Sequence, residues 1–467
     1  MNITRDGNQE LSPYYERIPN AVLPCDPSDK TKCCAFSPYS IKENIKYIFK
    51  MLVLPGVIAG IIIALLILEL YNNLVIQIVS SVFTTIATFL TYFYSREKIL
   101  AEYHKIRNHD ELKPGRTHKL NEIKEELSIG FVGDIMMMRD HELKFDPQIE
   151  KFFKEVPLIV GNLEGIIPEQ KNSFAKQSHK EKILEQLAKL LKYNNIWLLC
   201  VSNNHSVDFG NNKFFTSTRK TQNPKDEIKE KFNAFGRYDV PKVFVDKKFC
   251  ISTATKWSNQ KCWDCTSQFD DKKLEDEYYC SDSAVKFNIL YPHWGFENER
   301  YTRRKIQKEA VELLTCKSQD IDEDKKKKWG LIFGHHPHTR QPVMIVEEVL
   351  EKPDGTPLLD NEDKKIILKK LVAFSGGNFT SGVTFLRKKK HVHGIIMRCK
   401  IGPLEKSAGH YAVGEVQWEN IFNKKDGNTK TVLIGEGIAD RTRIYILLIG
   451  IVAFIIAILP RILELFP

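Results

Sequence analysis

Cysteine is scarce in this chain. Ten in 467 residues is too thin a scatter for a small disulfide-stapled scaffold. No internal repeat recurs, so a solenoid or propeller is not indicated. The sequence has no Walker-A segment, no Gly-x-Ser-x-Gly elbow and no Gly-x-Gly-x-x-Gly turn. P-loop nucleotide hydrolysis, α/β-hydrolase chemistry and dinucleotide binding therefore lack their usual signatures. Nor is positive charge gathered into an arm. The net charge is +10, but lysine is spread along the chain, and nucleic acid is not an expected partner. The one tight run, Asp324-Lys325-Lys326-Lys327-Lys328, reads as a solvated face. With 42% hydrophobic and 27% charged residues, the chain is not disordered, collagenous or of low complexity.

Three local runs are far more apolar than that average. Met51 to Leu70 and Leu74 to Tyr94 are each of membrane-crossing length, separated by Tyr71-Asn72-Asn73. Ile444 to Leu459 is a third, ending at Pro460. The spacing predicts a transmembrane helical hairpin over 50–94 and a C-terminal transmembrane helix over 443–466. Lys42, Lys46 and Lys50 precede the hairpin; Arg96, Lys98, Lys105, Arg107 and Lys113 come after it. Lys424, Lys425, Lys430, Arg441 and Arg443 precede the third span, and the hairpin loop has no Lys or Arg. The positive-inside rule then gives a multi-pass membrane protein with its large middle region on the cytoplasmic side.

Residues 1–49, with five prolines and little apolar periodicity, read as a flexible tail. Cys33-Cys34 there are expected to be unmodified thiols. Residues 95–123 are charged and read as a helical stalk. Residues 124–440 alternate apolar runs of strand length with helical periodicity such as Lys180 to Tyr193. That pattern predicts a buried sheet in an α/β domain.

The polar residues at the C-terminal end of each apolar run carry the chemistry. The first run ends in Gly133-Asp134, the second in Gly161-Asn162-Leu163-Glu164, the third in Ser202-Asn203-Asn204-His205 with Asp208 beyond. The fourth ends in Pro292-His293 with Glu297 beyond, the fifth in Gly334-His335-His336-Pro337-His338, the sixth in Ser375-Gly376-Gly377-Asn378. Ligands of open α/β sheets sit at the C-terminal strand edge. Glycines there allow close backbone approach, and the Asp, Glu, Asn and His side chains are metal donors. Mixed carboxylate, amide and imidazole donors suit Mn, Fe or Zn better than Ca or Mg. One or two such ions could activate water against a phosphoryl group.

The order of these segments, FVGDIMMMRD, GNLEG, SNNHSVDFG, HWGFE, GHHPHTRQPV and FSGGNF, resembles the bacterial CapA family of capsule and poly-γ-glutamate synthesis proteins. That family is similar in fold to calcineurin-like metallophosphoesterases. The resemblance covers roughly residues 127–400 and implies a layered α/β sandwich. It implies that Asp134 is a metal ligand, Glu164 a bridging carboxylate, Asn204 a ligand to a second metal and His293 a further ligand. His336 and His338 match the family's His-x-His pair, with His335 an alternative partner for His338. His205 would donate a proton to the leaving group, with Asp208 and Glu297 orienting imidazoles, and Asn162, Gln341 and Asn378 near the pocket. Two departures stand out: Met136 occupies the position of a first-metal imidazole, and a Glu replaces the bridging Asp. The resemblance implies a hydrolase of a phosphoester or related polymer bond, which the apolar runs outside it would anchor in a membrane. The rival is a non-catalytic assembly or export subunit, binding an anionic polymer or polymer-synthase subunits.

Two other groupings could carry chemistry. Cys250, Cys262, Cys265 and Cys280 could form a four-thiolate zinc site or disulfides, but the spacing is no standard ribbon and free thiols are the expectation. His391-Val392-His393 reads as a surface or internally satisfied pair rather than a ligand pair.

Overall fold

The computed structural model describes residues 3–4, 97, 99–167, 176–190, 195–222, 224, 226–261, 263–270, 273–315, 329–352, 354–382 and 391–435. The three apolar stretches expected to span a membrane lie outside these residues, as do Cys33, Cys34, Cys262 and the 324–328 lysine run. Of the expected tail, only Ile3–Thr4 is described; it pairs antiparallel with Lys242–Val245 at a sheet edge. Among the described residues no helix is long and apolar enough to cross a membrane.

The expected α/β domain is built on two sheets rather than one. In the larger, Leu127–Ile135, Leu158–Leu163, Ile196–Cys200 and Phe232–Phe235 run parallel. The long antiparallel strands His393–Leu404, Ser407–Asp426 and Thr429–Ile434 extend it on the other side of Leu127–Ile135. In the smaller sheet, Phe249–Ser252, Phe287–Leu290, Leu331–Phe333 and Ile367–Ala373 run parallel, and Val343–Val349 closes the edge antiparallel.

The sheets face each other. Phe131, Val160 and Leu198 of one share a buried core with Ile251, Ile289 and Phe333 of the other. Phe131 and Phe333 stack with ring centroids 5.2 Å apart. The outer face of the larger sheet is covered by helices Pro147–Phe153 and Lys182–Ala188, with Phe153, Ile183 and Leu187 packed on Ile159 and Trp197. The outer face of the smaller sheet is covered by helix Arg304–Thr315 through Ile306, Ala310 and Leu314. Each side chain so buried contributes about 1.5–3 kcal/mol. Strands covered on both faces read as unbroken apolar runs, which is why the sequence reveals them.

Residues 95–123 are not a helical stalk. Among the described residues a helical turn spans 99–103, and 105–123 are mostly irregular, with a short strand at Thr117–Lys119. Leu112 N–H donates to Val343 O at 2.8 Å, and Thr117–Lys119 pairs with Ser407–Asp426. The charged pattern has a physical source: this segment exposes one side to solvent while its backbone completes a sheet.

The two parallel strand sets end on the same side of the molecule. Tyr291 bridges them just below that edge, its hydroxyl donating to Val132 O at 2.6 Å.

Candidate metal centre

Asp134 is the last polar residue of the strand Leu127–Ile135 and is fully buried. Its carboxylate is surrounded. Asn162 Nδ2 donates to Oδ1 at 2.8 Å, and His335 Nδ1 stands 3.4 Å from the same oxygen. His338 Nδ1 lies 3.2 Å from Oδ2, which also accepts the His336 backbone N–H at 3.2 Å. Burial opposes the charge on Asp134, but hydrogen bonds from His335 and His338 outweigh it and hold the carboxyl well below its usual range.

Glu164, from the end of the neighbouring strand, is equally buried. Asn162 Nδ2 reaches its Oε2 at 3.3 Å. Oε1 has no hydrogen-bond partner; His338 Nε2 stands 3.4 Å from it and His205 Nε2 3.8 Å. Burial, with the negative charge of Asp134 beside it, pushes the Glu164 carboxyl well above its usual range. His338 lies between the two carboxylates. Burial works against its charge, yet Glu164 and Asp134 outweigh it and push the imidazole up to about 10.

The smaller sheet supplies the opposite wall. His293 Nδ1 and His335 Nδ1 are 2.8 Å apart, so one ring donates and the other accepts. His293 Nε2 faces Asn204 Oδ1 at 3.1 Å. His336 packs beside His293, ring centroids 4.4 Å apart, and beside Trp257 at 5.7 Å. Burial lowers His293, His335 and His336 from the ordinary imidazole range, His336 down to about 3. His336 and His338 hold φ of 101° and 56°, a left-handed backbone that costs a non-glycine residue roughly 1–3 kcal/mol and persists where the surroundings enforce it.

Three overlapping groups could hold a metal ion: Asp134, His293 and His335; Glu297, His336 and His338; and Asp134, Glu164 and His338. In each, the ligand atoms lie within 4.8 Å of one another. The unpartnered Glu164 Oε1 and the unpartnered Nδ1 of His336, both buried, fit a divalent ion, because a buried polar atom without a partner is otherwise costly. Glu297 stands at the exposed rim, its carboxyl held below the usual range: burial resists this, but the imidazoles of His338, His336 and His205 prevail.

His205 occupies the third corner. Its Nδ1 lies 2.6 Å from Asp208 Oδ2, an arrangement that orients the ring and leaves Nε2 toward Glu164. Asn378 Oδ1 is 3.1 Å from His338 Nδ1 and its Nδ2 donates to His391 O. Gln341, expected at the pocket, turns instead to the 299–302 loop: its Nε2 donates to Glu299 O and Tyr301 O, and its Oε1 accepts from Thr302.

Several residues at the centre escape a reading of the sequence. Asn203 joins Asn162 Oδ1 at 3.1 Å, Leu163 O at 2.9 Å and the His205 N–H; the Asn doublet in the Ser-Asn-Asn-His run is the available signal. Gln177 donates its backbone N–H to Asp208 Oδ2 at 2.9 Å, and His179 Nε2 lies 2.8 Å from Glu164 O. Asn259 Nδ2 lies 3.1 Å from His205 Nδ1. His391 is buried with its ring 5.7 Å from His338 and its Nε2 against Asn298 Oδ1. Nothing in the local sequence around Gln177, His179 or Asn259 marks them, because loops bring them in from a distance. Cys265 packs beside Phe214, apart from the cluster that holds Cys250 and Cys280. Those three thiols therefore do not converge on one zinc.

Comparison with curated proteins finds PGA biosynthesis protein CapA of Bacillus subtilis (strain 168), 26% identical over 256 residues, covering 47% of this chain and 59% of the relative. The chain thus spans under two thirds of that protein's length. No protein-family model matches the chain, and no solved structure matches it. The chain is similar, distantly and over about half its length, to a protein named for PGA biosynthesis.

Proposed function

We propose that this chain is a membrane-anchored, metallophosphoesterase-like hydrolase of a phosphoester or related polymer bond, working in capsule or poly-γ-glutamate synthesis. The observation that carries the reading is the meeting of an oriented His205–Asp208 pair with the unpartnered, buried Glu164 Oε1. A general acid must stand within reach of the reacting group with its ring fixed, and here it stands beside a cluster of metal donors.

Asp134, Glu164, His338, His335, His293 and Asn204 would hold one or two divalent ions of the Mn, Fe or Zn class, with His336 and Glu297 on the open side. Such an ion supplies Lewis-acid stabilisation of a phosphoryl oxygen and an acidified water. His205 Nε2 would give its proton to the leaving oxygen, and Asp208 would stabilise the ring as it changes charge. Asn203 keeps the His205 backbone N–H in place. The 51–70, 74–94 and 444–459 runs would anchor the chain, with the large domain cytoplasmic.

A second reading, an assembly or export subunit that binds an anionic polymer or synthase subunits, rests on Met136, which stands two residues past Asp134 where the resembled fold has an imidazole. The two are separated by metal analysis of the purified full-length chain together with a phosphodiesterase assay on the same sample. Metal with turnover supports the hydrolase. Metal without turnover on any diester favours the subunit reading, and absence of metal removes both the centre and the hydrolase.

A further inference from the structure

A second reactive group lies on the outer face of the smaller sheet, away from the metal donors. In the strand Phe249–Ser252, Phe249 and Ile251 point into the core between the sheets. Period-two alternation then sends Cys250 and Ser252 to the outer face. That face is covered by the segment 273–282. Ser252 Oγ donates to Tyr278 O at 2.7 Å, and Lys242 Nζ donates to Glu277 O at 2.8 Å. Asn288, which pairs directly with Cys250 in the sheet register, holds Cys280 by both backbone groups: Cys280 N–H donates to its Oδ1 and its Nδ2 donates to Cys280 O, both at 3.1 Å. The side chains of Cys250, Cys280 and Phe244 consequently form one buried cluster. Cys250 is fully enclosed, while Cys280 is 8% exposed at the cluster's edge.

A hydrogen bond from Cys250 lowers the Cys280 thiol to about 6, and burial pushes Cys250 well up. Burial pushes Cys200 and Cys265 up to about 12. The thiolate, not the thiol, is the nucleophile in disulfide exchange, so Cys280, the less enclosed residue of the pair, is also the more reactive.

We propose that Cys280 and Cys250 form a redox-active dithiol that closes to an intramolecular disulfide on reaction with a low-molecular-weight disulfide such as oxidised glutathione. The Cys280 thiolate attacks one sulfur of the oxidant, whose S–S bond breaks and releases one thiolate. Cys250 then loses its proton to that thiolate and attacks the Cys280 sulfur, expelling the second half of the oxidant as a thiolate, which takes up the proton that Cys280 had shed to solvent. Two protein thiols are oxidised and one external disulfide is reduced to two thiols. The closed form staples the 273–282 segment to the sheet. This assignment is independent of the metal centre.

The test is non-reducing peptide mapping of the full-length chain after equilibration in oxidised glutathione and quenching with a maleimide under denaturant. The expected product is a cross-linked peptide pair carrying Cys250 and Cys280, lighter by two hydrogens than the free peptides. In Cys250→Ala the reaction should halt at a Cys280–glutathione mixed disulfide. In Cys280→Ser, Cys250 should carry no glutathione and be fully alkylated by the maleimide. Complete alkylation of both cysteines after oxidant treatment overturns the proposal, as does a cross-link from Cys280 to Cys262 or Cys265 in place of Cys250.

Discussion

Tyr291 and Val132 are joined across the two sheets by a 2.6 Å hydrogen bond from the phenol to the backbone carbonyl, fully buried. Each stands two residues before a candidate metal donor, His293 and Asp134. The bond therefore sets the spacing between the two walls of the centre. Tyr291→Phe should remove the hydrogen bond that the buried Val132 carbonyl accepts across the sheets, a loss of about 0.5–1.5 kcal/mol. A thermal-shift measurement on the full-length chain should show a lower midpoint and, because the walls loosen, weaker metal retention on dialysis. An unchanged midpoint would mean that the carbonyl finds another donor and that Tyr291 does not set the spacing.

Gly133 and Gly376 touch backbone to backbone. A Cβ on Gly133 would fall 2.0 Å from Gly377 O and 2.6 Å from the Gly376 carbonyl carbon. Neither atom can move without dislodging the strand that carries Asp134, whose own N–H donates to Gly377 O at 2.7 Å. Gly133→Ala should therefore cost at least about 3 kcal/mol, the upper range for overpacking a rigid site. Proteolysis should reveal a destabilised domain, whereas Gly355→Ala, in open space though at positive φ, should cost far less.

That pair also shows what is legible in the sequence. Strands buried on both faces appear as apolar runs, and the glycines and donors that end them are contiguous in the chain, so Asp134, Glu164, Asn204, His205, His293 and the 335–338 histidines can be read in order. The antiparallel strands His393–Leu404 and Ser407–Asp426 are harder to read: beyond the short Ile395–Met397 run their inward residues, among them Ile401, Val413 and Val416, are interleaved with polar ones. The division into two sheets is likewise invisible, because an apolar run does not say which layer covers each face. Gln177, His179 and Asn259 reach the centre by tertiary placement of loops, which no local pattern encodes. Glu297 falls within 4.8 Å of His336 and His338, close enough to be a donor itself rather than a group that only orients imidazoles.

Metal binding should depend on pH in a defined direction. His338 is raised to about 10 and Glu164 is raised well above its ordinary range. The metal-free folded centre therefore keeps protons that unshifted groups would have released by neutral pH. A ligand must shed its proton to coordinate. Affinity for Zn or Mn should accordingly rise as pH increases through the neutral range, and fall as acid refills the sites. Calorimetry in buffers of different ionisation enthalpy should detect protons released on binding. Asp134→Ala and His338→Ala should each lower bound metal while the domain stays folded; undiminished metal in both would remove the assigned centre.

His205→Asn separates chemistry from binding. The imidazole is fixed by Asp208 at 2.6 Å and its Nε2 lies 3.8 Å from Glu164 Oε1, the placement that the proposed general acid requires. Asparagine keeps hydrogen-bonding capacity at similar reach but carries no proton acidic enough to pass to a leaving group. Turnover should fall about 10²–10⁴-fold, the usual worth of one general acid, with metal content and midpoint of unfolding retained. The loss should lie in kcat rather than KM, because the proton moves only as the bond breaks. A nitrophenolate leaving group needs little protonation, and its hydrolysis should suffer least. Asp208→Asn should reproduce part of the defect and alter the pH profile, since it acts through the ring. Equal turnover by wild type and His205→Asn on a poor leaving group would leave His205 a pocket residue and transfer the argument to the polymer-binding subunit.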